Sequence, residues 1–341
     1  HTVCEVILYA YKGRAEAILD ACEASAQAVQ KMLNIYDKSS ELSLLNKNYL
    51  PGIPYRISRE LFNLLYSVWK FSRLSGGAFD MTVGSLVRLW DFTSPTPQIP
   101  SIAQVQETQK KCGYKQISFD EETCSVTINQ PGMIIDGGGF GKGYAVQKAL
   151  ECLKCHKVRS AVINYGGNLF LLGSYPRDES GEVLLGNELG EEKKEGLLGN
   201  EARNEKGEDL PGNKWKNRKE EAGWKVGVQK PWAKRGESLG ILLLKDLGTA
   251  TSAGYERYFQ AGGRRFGHIL NPADGMPAES GLQSVTIISD SPLMTDLMST
   301  AFFVLGQEKG DALAKEVRKY VLLEYVAVSE DGISLSESAR Y

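Results

Sequence analysis

The segment Asp136-Gly-Gly-Gly-Phe-Gly-Lys142-Gly-Tyr-Ala sets four glycines between an acid and a lysine. Glycine lets the main chain approach a bound group closely. A helix that opens at such a turn presents free amides and a favourable dipole to an anion. Lys142 adds a movable positive charge. The chemistry suggested is the handling of phosphate. Neither common phosphate loop fits. A Walker A loop needs glycine where Asp136 stands and Ser or Thr where Gly143 stands, and no register here spells G-x-G-x-x-G. Taken alone, the segment also reads as a tight structural turn before a helix.

Three other residue sets could do chemistry. Asp296 and Thr300 lie four apart in a segment of helical pattern. That spacing puts a carboxylate and a hydroxyl on one face, one turn apart. Hard oxygen donors of this kind suit Mg²⁺ and not zinc. The pair also reads as an ordinary helix-start acid and a core-facing threonine. Among three histidines, His1 is terminal and His156 adjoins a cysteine pair, which leaves His268 as the candidate general base. Imidazole is the usual proton acceptor near neutral pH, although a lone histidine is as readily structural. Cys152-Leu-Lys-Cys155-His156 spells C-x-x-C-H, the haem c attachment pattern. It reads equally as a redox pair or as structural thiols at a helix end. No second close Cys/His pair supports a zinc site.

The elements that must position these residues show in the periodicity. Residues 3–10 read as a strand and 13–35 as an amphipathic helix. Ser58 is an N-cap for a helix with Leu61, Leu64, Leu65, Val68 and Phe71 on one face. A short helix spans 101–112, a hairpin joins 116–119 to 125–128, and a helix runs on from about Gly143. Strands are expected over 158–164, 169–172, 224–229, 239–244, 257–260, 265–270, 284–289 and 322–329, with helices over 293–305 and 310–319. Many strands joined by short turns predict an α+β architecture of mixed, largely antiparallel sheets with packed helices. The 341 residues, 42% hydrophobic, suffice for a large core. A net charge of −2 argues against a nucleic-acid groove or a basic membrane face. No apolar run of about 18 residues is present, so no transmembrane helix is expected. Residues 179–222 differ in kind: Gly-Asn recurs every thirteen residues at 186, 199 and 212, among Glu and Lys. Such composition cannot bury enough apolar surface to fold by itself, and it reads as an insertion between two core strands.

Five segments in order carry a likeness. They are Tyr36-Asp-Lys-Ser-Ser-Glu-Leu-Ser-Leu-Leu-Asn46, then Ser75-Gly-Gly-Ala-Phe-Asp80-Met-Thr-Val-Gly84, then the glycine loop, then Ala161-Val-Ile-Asn-Tyr-Gly-Gly-Asn168. The last begins at Ser252-Ala-Gly-Tyr-Glu-Arg-Tyr-Phe259, continues through His268-Ile-Leu-Asn-Pro-Ala-Asp-Gly275 and closes with Asp296-Leu-Met-Ser-Thr300. Together they resemble the FAD:protein FMN transferases, the ApbE-like flavin transferases once called thiamine-biosynthesis lipoproteins. The likeness covers nearly the whole chain except about 179–222.

The resemblance implies an ApbE-like fold, with 1–178 and 223–341 as one domain of two intimate lobes and an FAD cleft between them. It implies attack at the FAD pyrophosphate, release of AMP, and transfer of FMN to a Thr or Ser of an acceptor flavoprotein subunit, with Mg²⁺. Asp136 would then bind a polar group of FAD, and Lys142 would reach its phosphates. Ala78, Phe79 and Asp80 would line the adenosine pocket, Tyr36 would stack on the flavin or adenine, and Ile269 would touch the flavin. Asp296, Thr300 and the Gly139 carbonyl would hold the metal, with Ser299 nearby. Gly139 stands where alanine is commoner, but a carbonyl ligand is indifferent to the side chain. His268, in a His-x-x-Asn-Pro motif, would deprotonate the acceptor hydroxyl. Members usually carry a signal peptide or lipidated cysteine ahead of this region, so a membrane tether on the periplasmic side of a bacterial envelope is expected. Two alternatives share the substrate: an FAD pyrophosphatase, with water as nucleophile, and an FAD-binding protein without turnover. Intact Lys142, His268, Asp296 and Thr300 favour chemistry over binding alone.

Overall fold

A computed structural model describes residues 3–9, 14–174, 223–234 and 236–336. The insertion expected over 179–222 lies outside the described residues. The chain runs β1 (Cys4–Leu8), α1 (Ala15–Leu33), α2 (Glu41–Asn48), β2 (Tyr55–Arg56), α3 (Arg59–Leu74), α4 (Gly84–Trp90) and α5 (Ile102–Gln109). It continues with β3 (Ile117–Asp120), β4 (Ser125–Ile128), α6 (Gly141–Cys155), β5 (Ala161–Tyr165), β6 (Asn168–Leu172), β7 (Trp224–Gln229) and β8 (Ser238–Leu244). The rest is β9 (Leu247–Ala253), β10 (Tyr258–Ala261), β11 (Arg264–Gly267), β12 (Leu282–Ser289), α7 (Pro292–Val317), β13 (Leu323–Ser329) and β14 (Gly332–Leu335). The architecture is α+β. Among the described residues, seven strands form the main sheet in the order β1-β5-β6-β9-β12-β13-β14, each pair antiparallel.

Local rules account for most elements. Ser58 caps α3, accepting from the Leu61 amide at 3.2 Å, and Leu61, Leu64, Leu65, Val68 and Phe71 are all buried. Ser101 and Gln104 close a reciprocal capping box at α5. Ser291 caps α7 with Pro292 just inside, where its missing N–H is harmless. The two helices expected over 293–305 and 310–319 are one element bent at Gly306. There φ is 76°, and a Cβ would stand 3.0 Å from the Ser280 carbonyl oxygen.

Strand β9 goes unpredicted, although it sits in the middle of the main sheet. Its sequence, Leu-Gly-Thr-Ala-Thr-Ser-Ala, lacks the bulky alternation that marks a strand. Helix α2 is missed for a similar reason, being short and mostly polar.

One face of the sheet carries the helices. Phe170 and Ile163 pack with Ile18 and Cys22 of α1 and with Val146, Ala149 and Leu153 of α6. Further along, Val285, Ile287 and Tyr325 pack with Leu297, Met298 and Phe302 of α7 and with α3. The small residues of β9 leave room for α7 to approach. Among the described residues no helix is long and apolar enough to cross a membrane.

Candidate functional site

The glycine loop is held from both sides. The Asp136 amide donates to the Met81 carbonyl at 2.8 Å. One residue earlier, the Asn46 carboxamide grips Ile135 both ways, donating to its carbonyl at 2.8 Å and accepting from its amide at 2.9 Å. Asn46 closes the first motif but had no role in the sequence reading. The only local signal is an asparagine near the end of a short helix. We expect Asn46→Ala to cost about 1–3 kcal/mol, because both Ile135 groups lose their partner. Urea unfolding measures this, and a change below about 0.5 kcal/mol, the ordinary surface value, would show the clamp to be dispensable.

Each glycine of the loop meets something. A Cβ on Gly139 would stand 3.0 Å from the Phe79 ring, and one on Gly137 would stand 3.4 Å from Leu33. The Asp136 carboxylate folds over the loop and accepts from the Gly138 amide at 2.7 Å. Burial pushes its pKa up, while that hydrogen bond and Arg88 pull it back in part.

Helix α6 has no side-chain cap from its own residues. Asp296 of α7 supplies one across the helix junction: its Oδ2 accepts from the Gly143 amide at 2.8 Å. This is possible because Gly143 lies against α7, where a Cβ would stand 2.6 Å from the Pro292 carbonyl oxygen. Asp296 is 4% exposed. Its other oxygen lies 3.6 Å from Lys142 Nζ, and Lys142 donates to Asn168 Oδ1 at 2.7 Å. Ser299 lies behind the acid, donating to the Asp296 carbonyl at 3.1 Å and accepting from Ser252 at 3.0 Å. Thr300 is partly exposed one turn on. Among the described residues no group of three or more His, Cys, Asp or Glu could hold a metal ion, so the oxygen donors here come from one carboxylate with hydroxyls and carbonyls.

His268 follows the β10–β11 hairpin. Its amide donates to the Arg257 carbonyl at 3.0 Å, and its Nδ1 lies 3.1 Å from the same oxygen. A carbonyl only accepts, so Nδ1 carries the hydrogen and Nε2 keeps a free lone pair. Burial depresses the His268 pKa. The Arg257 hydrogen bond raises it in part, and the charges of Arg257 and Lys142 depress it further. The turn beyond is held rigidly: Asn271 donates to Asp274 at 2.9 Å, and Trp90 Nε1 donates to the Gly275 carbonyl at 2.9 Å. Ile269 is partly buried against the large core, its carbonyl accepting from Ala278 at 2.8 Å.

The remaining predicted positions are less uniform. Ala78 and Phe79 are buried, with Phe79 edge-on to Phe71 at 5.9 Å. Asp80 is buried and its carboxylate is engaged. Oδ1 accepts from the Thr82 amide and hydroxyl at 2.8 and 2.7 Å, and Oδ2 accepts from the Tyr114 amide at 2.9 Å. Tyr36 is 80% exposed, three residues beyond the Leu33 that packs on the loop. The C-x-x-C-H segment ends α6. There His156 Nδ1 lies 2.9 Å from the Cys152 carbonyl oxygen, and Cys155 is exposed. Burial, then the neighbouring Cys152, push the Cys22 thiol up to about 12, so it is a poor nucleophile at neutral pH.

The scaffold is thus an antiparallel α+β one whose glycine loop opens a helix capped by a second helix's acid. Comparison with known proteins assigns it more closely. A family model described as the ApbE family matches residues 1–195 and 209–323. The chain belongs to the ApbE family. An FAD:protein FMN transferase of Klebsiella pneumoniae is 29% identical over 300 residues, covering 86% of this chain and 79% of that one. Another from Treponema pallidum is 28% identical over 322 residues, covering 92% and 79%. The crystal structure of an ApbE protein from Thermotoga maritima superposes with a TM-score of 0.75 at 26% identity, covering 99% of this chain and 97% of that one.

Proposed function

We propose that the protein is an FAD:protein FMN transferase that cleaves the FAD pyrophosphate, attaches FMN to a Thr or Ser of an acceptor flavoprotein, and releases AMP. The observation that carries this reading is the α6–α7 junction, where the buried Asp296 accepts from the Gly143 amide that follows the glycine loop and lies 3.6 Å from the Lys142 ammonium. The names of the relatives support the choice of substrate.

The donor chemistry fits Mg²⁺, which binds through one or two carboxylates and fills its shell with water and substrate phosphate. Asp296 is a buried acid whose Oδ2 is taken by the Gly143 amide, while its Oδ1 meets only the Lys142 ammonium at 3.6 Å and keeps lone pairs for a hard cation. Asp296, Thr300 and the Gly139 carbonyl would hold the ion, with Ser299 fixing the helix turn behind. When bound, it would offset charge developing on the phosphoryl oxygens. The protein's own groups do the rest. Lys142 draws the pyrophosphate toward the start of α6. The acceptor hydroxyl oxygen attacks the FMN phosphorus, its proton passes to His268 Nε2, and the bond to the AMP oxygen breaks.

The state of His268 gives a pH prediction. Its folded pKa lies below the ordinary value of about 6.5, so the imidazole stays neutral and basic throughout neutral pH. The acid limb of the transfer rate should therefore fall below about pH 6.5. A limb centred above about 7 would remove His268 from the base role. The same shift makes the unfolded chain the better proton binder between the two values. The stability from this group is thus fully present above the unfolded pKa and is lost as pH falls through the folded one.

The direct test mixes the protein with FAD, Mg²⁺ and an acceptor subunit, with an EDTA control, and separates the products by chromatography. Metal-dependent AMP with FMN covalently on the acceptor is expected. Free FMN with unmodified acceptor would make the protein an FAD pyrophosphatase, and intact FAD would make it a flavin-binding protein. The same reading places the protein on the periplasmic side of the envelope, tethered by lipid. Fractionation of producing cells checks this, and full-length protein recovered in the cytosol would overturn it.

A further inference from the structure

Asn168 opens β6 directly after Gly166 and Gly167, which have φ of 59° and 90°. Two successive residues with positive φ form the tight hairpin turn whose twist matches its strands, and the Gly167 amide is held by Asn164 at 3.1 Å. The turn therefore delivers Asn168 from a rigid edge. The side chain is buried, at 3% exposure, next to Lys142.

The two ends of its carboxamide can be told apart chemically. Lys142 has only hydrogens to give, so the atom 2.7 Å from its ammonium is Oδ1. Nδ2 is then the free end, and it has no acceptor among the described residues. A buried N–H without a partner is unfavourable, and a water, an ion or a ligand completes such a group. An oxygen acceptor is required, and the neighbouring ammonium selects an anionic one.

We propose that Asn168 is a pyrophosphate-binding residue: its Oδ1 holds Lys142 while its Nδ2 donates to a non-bridging oxygen of the FAD pyrophosphate. This role rests on the FAD reading above. Asn168 would thus contribute a neutral donor beside the lysine charge, from a strand that neither the glycine loop nor α7 includes.

A double-mutant cycle separates direct contact from an effect through Lys142. FAD affinity is measured by flavin fluorescence for the wild type, Asn168→Ala, Lys142→Ala and the double variant. ADP serves as a flavin-free pyrophosphate probe, riboflavin as a phosphate-free one, and thermal melting as a check that each variant folds. Asn168→Ala in the Lys142→Ala background should still weaken FAD and ADP binding about 10-fold, the scale of one hydrogen bond to a charged group. Riboflavin binding should not change. If the second substitution has no further effect once Lys142 is gone, Asn168 only positions the lysine and the proposal fails. Equal weakening of riboflavin binding would also overturn it, by showing a general disturbance of the site. A wild type that binds neither FAD nor ADP would defeat the functional reading itself, and this role with it.

Discussion

Gly143→Ala is expected to destabilise the protein by about 1–3 kcal/mol, the usual range for an overpacked contact. It is also expected to lower AMP release at least about 100-fold, the scale of a misplaced site. The new Cβ would stand 2.6 Å from the Pro292 carbonyl oxygen, 2.7 Å from Asp296 Cβ and 3.2 Å from Leu293 Cα. Two of these atoms are backbone and the third is fixed to it, so no side-chain end can swing aside. Helix α7 must retreat from α6. Retreat breaks the 2.8 Å bond from the Gly143 amide to Asp296 and carries the acid away from Lys142. Stability and chemistry should therefore fall together. Gly240 in β8 is a suitable control, because a Cβ there meets nothing within 4 Å. Thermal melting and AMP assays on both variants decide the matter. If Gly143→Ala melts and turns over like Gly240→Ala, the α6–α7 junction is not what sets the site.

His268→Ala should leave FAD affinity within a few-fold and reduce FMN transfer by about 10²–10⁴, the range for losing a positioned general base. The reason is the tautomer. Arg257 holds the Nδ1–H, which leaves Nε2 as a proton acceptor on a ring that feels the Lys142 charge. The loss should be largest near neutral pH and shrink at high pH, where a hydroxyl nucleophile ionises without help. Melting should change little, since the backbone bond from the His268 amide to Arg257 survives the substitution. A variant that transfers FMN at the wild-type rate would show that the acceptor hydroxyl needs no base from this residue. One that also loses FAD binding would make His268 a binding group instead.

These expectations draw unequally on sequence and structure. Ser58 and the face from Leu61 to Phe71 announced α3, because capping and apolar periodicity act within three or four residues. The hairpin of β3 and β4 and the strands β5, β6, β12 and β13 were legible for the same reason. The order of five motifs was enough to point to the family. Strand β9 stayed hidden, since its identity comes from two neighbouring strands and a helix above it and not from its own small residues.

The site was legible as a set of residue types but not as an arrangement. Asp136, Lys142, His268 and Asp296 stand out as chemistry-bearing residues in suggestive company. Their partners do not. Asn46 clamps Ile135 from 89 residues away, Asn168 reaches Lys142 from 26, and Asp296 caps the Gly143 amide from 153. Asp80, which the resemblance sets in the adenosine pocket, also holds its own neighbourhood: its carboxylate accepts from Thr82 and from the Tyr114 amide. By itself the sequence determined the family, most of the elements and the inventory of reactive groups, because each is written in local spacing or in motifs. Only the tertiary structure decided which groups meet, which are already engaged, and that one helix of the site is capped by another. Those contacts depend on chain closure over long separations, where no periodicity in the sequence records them.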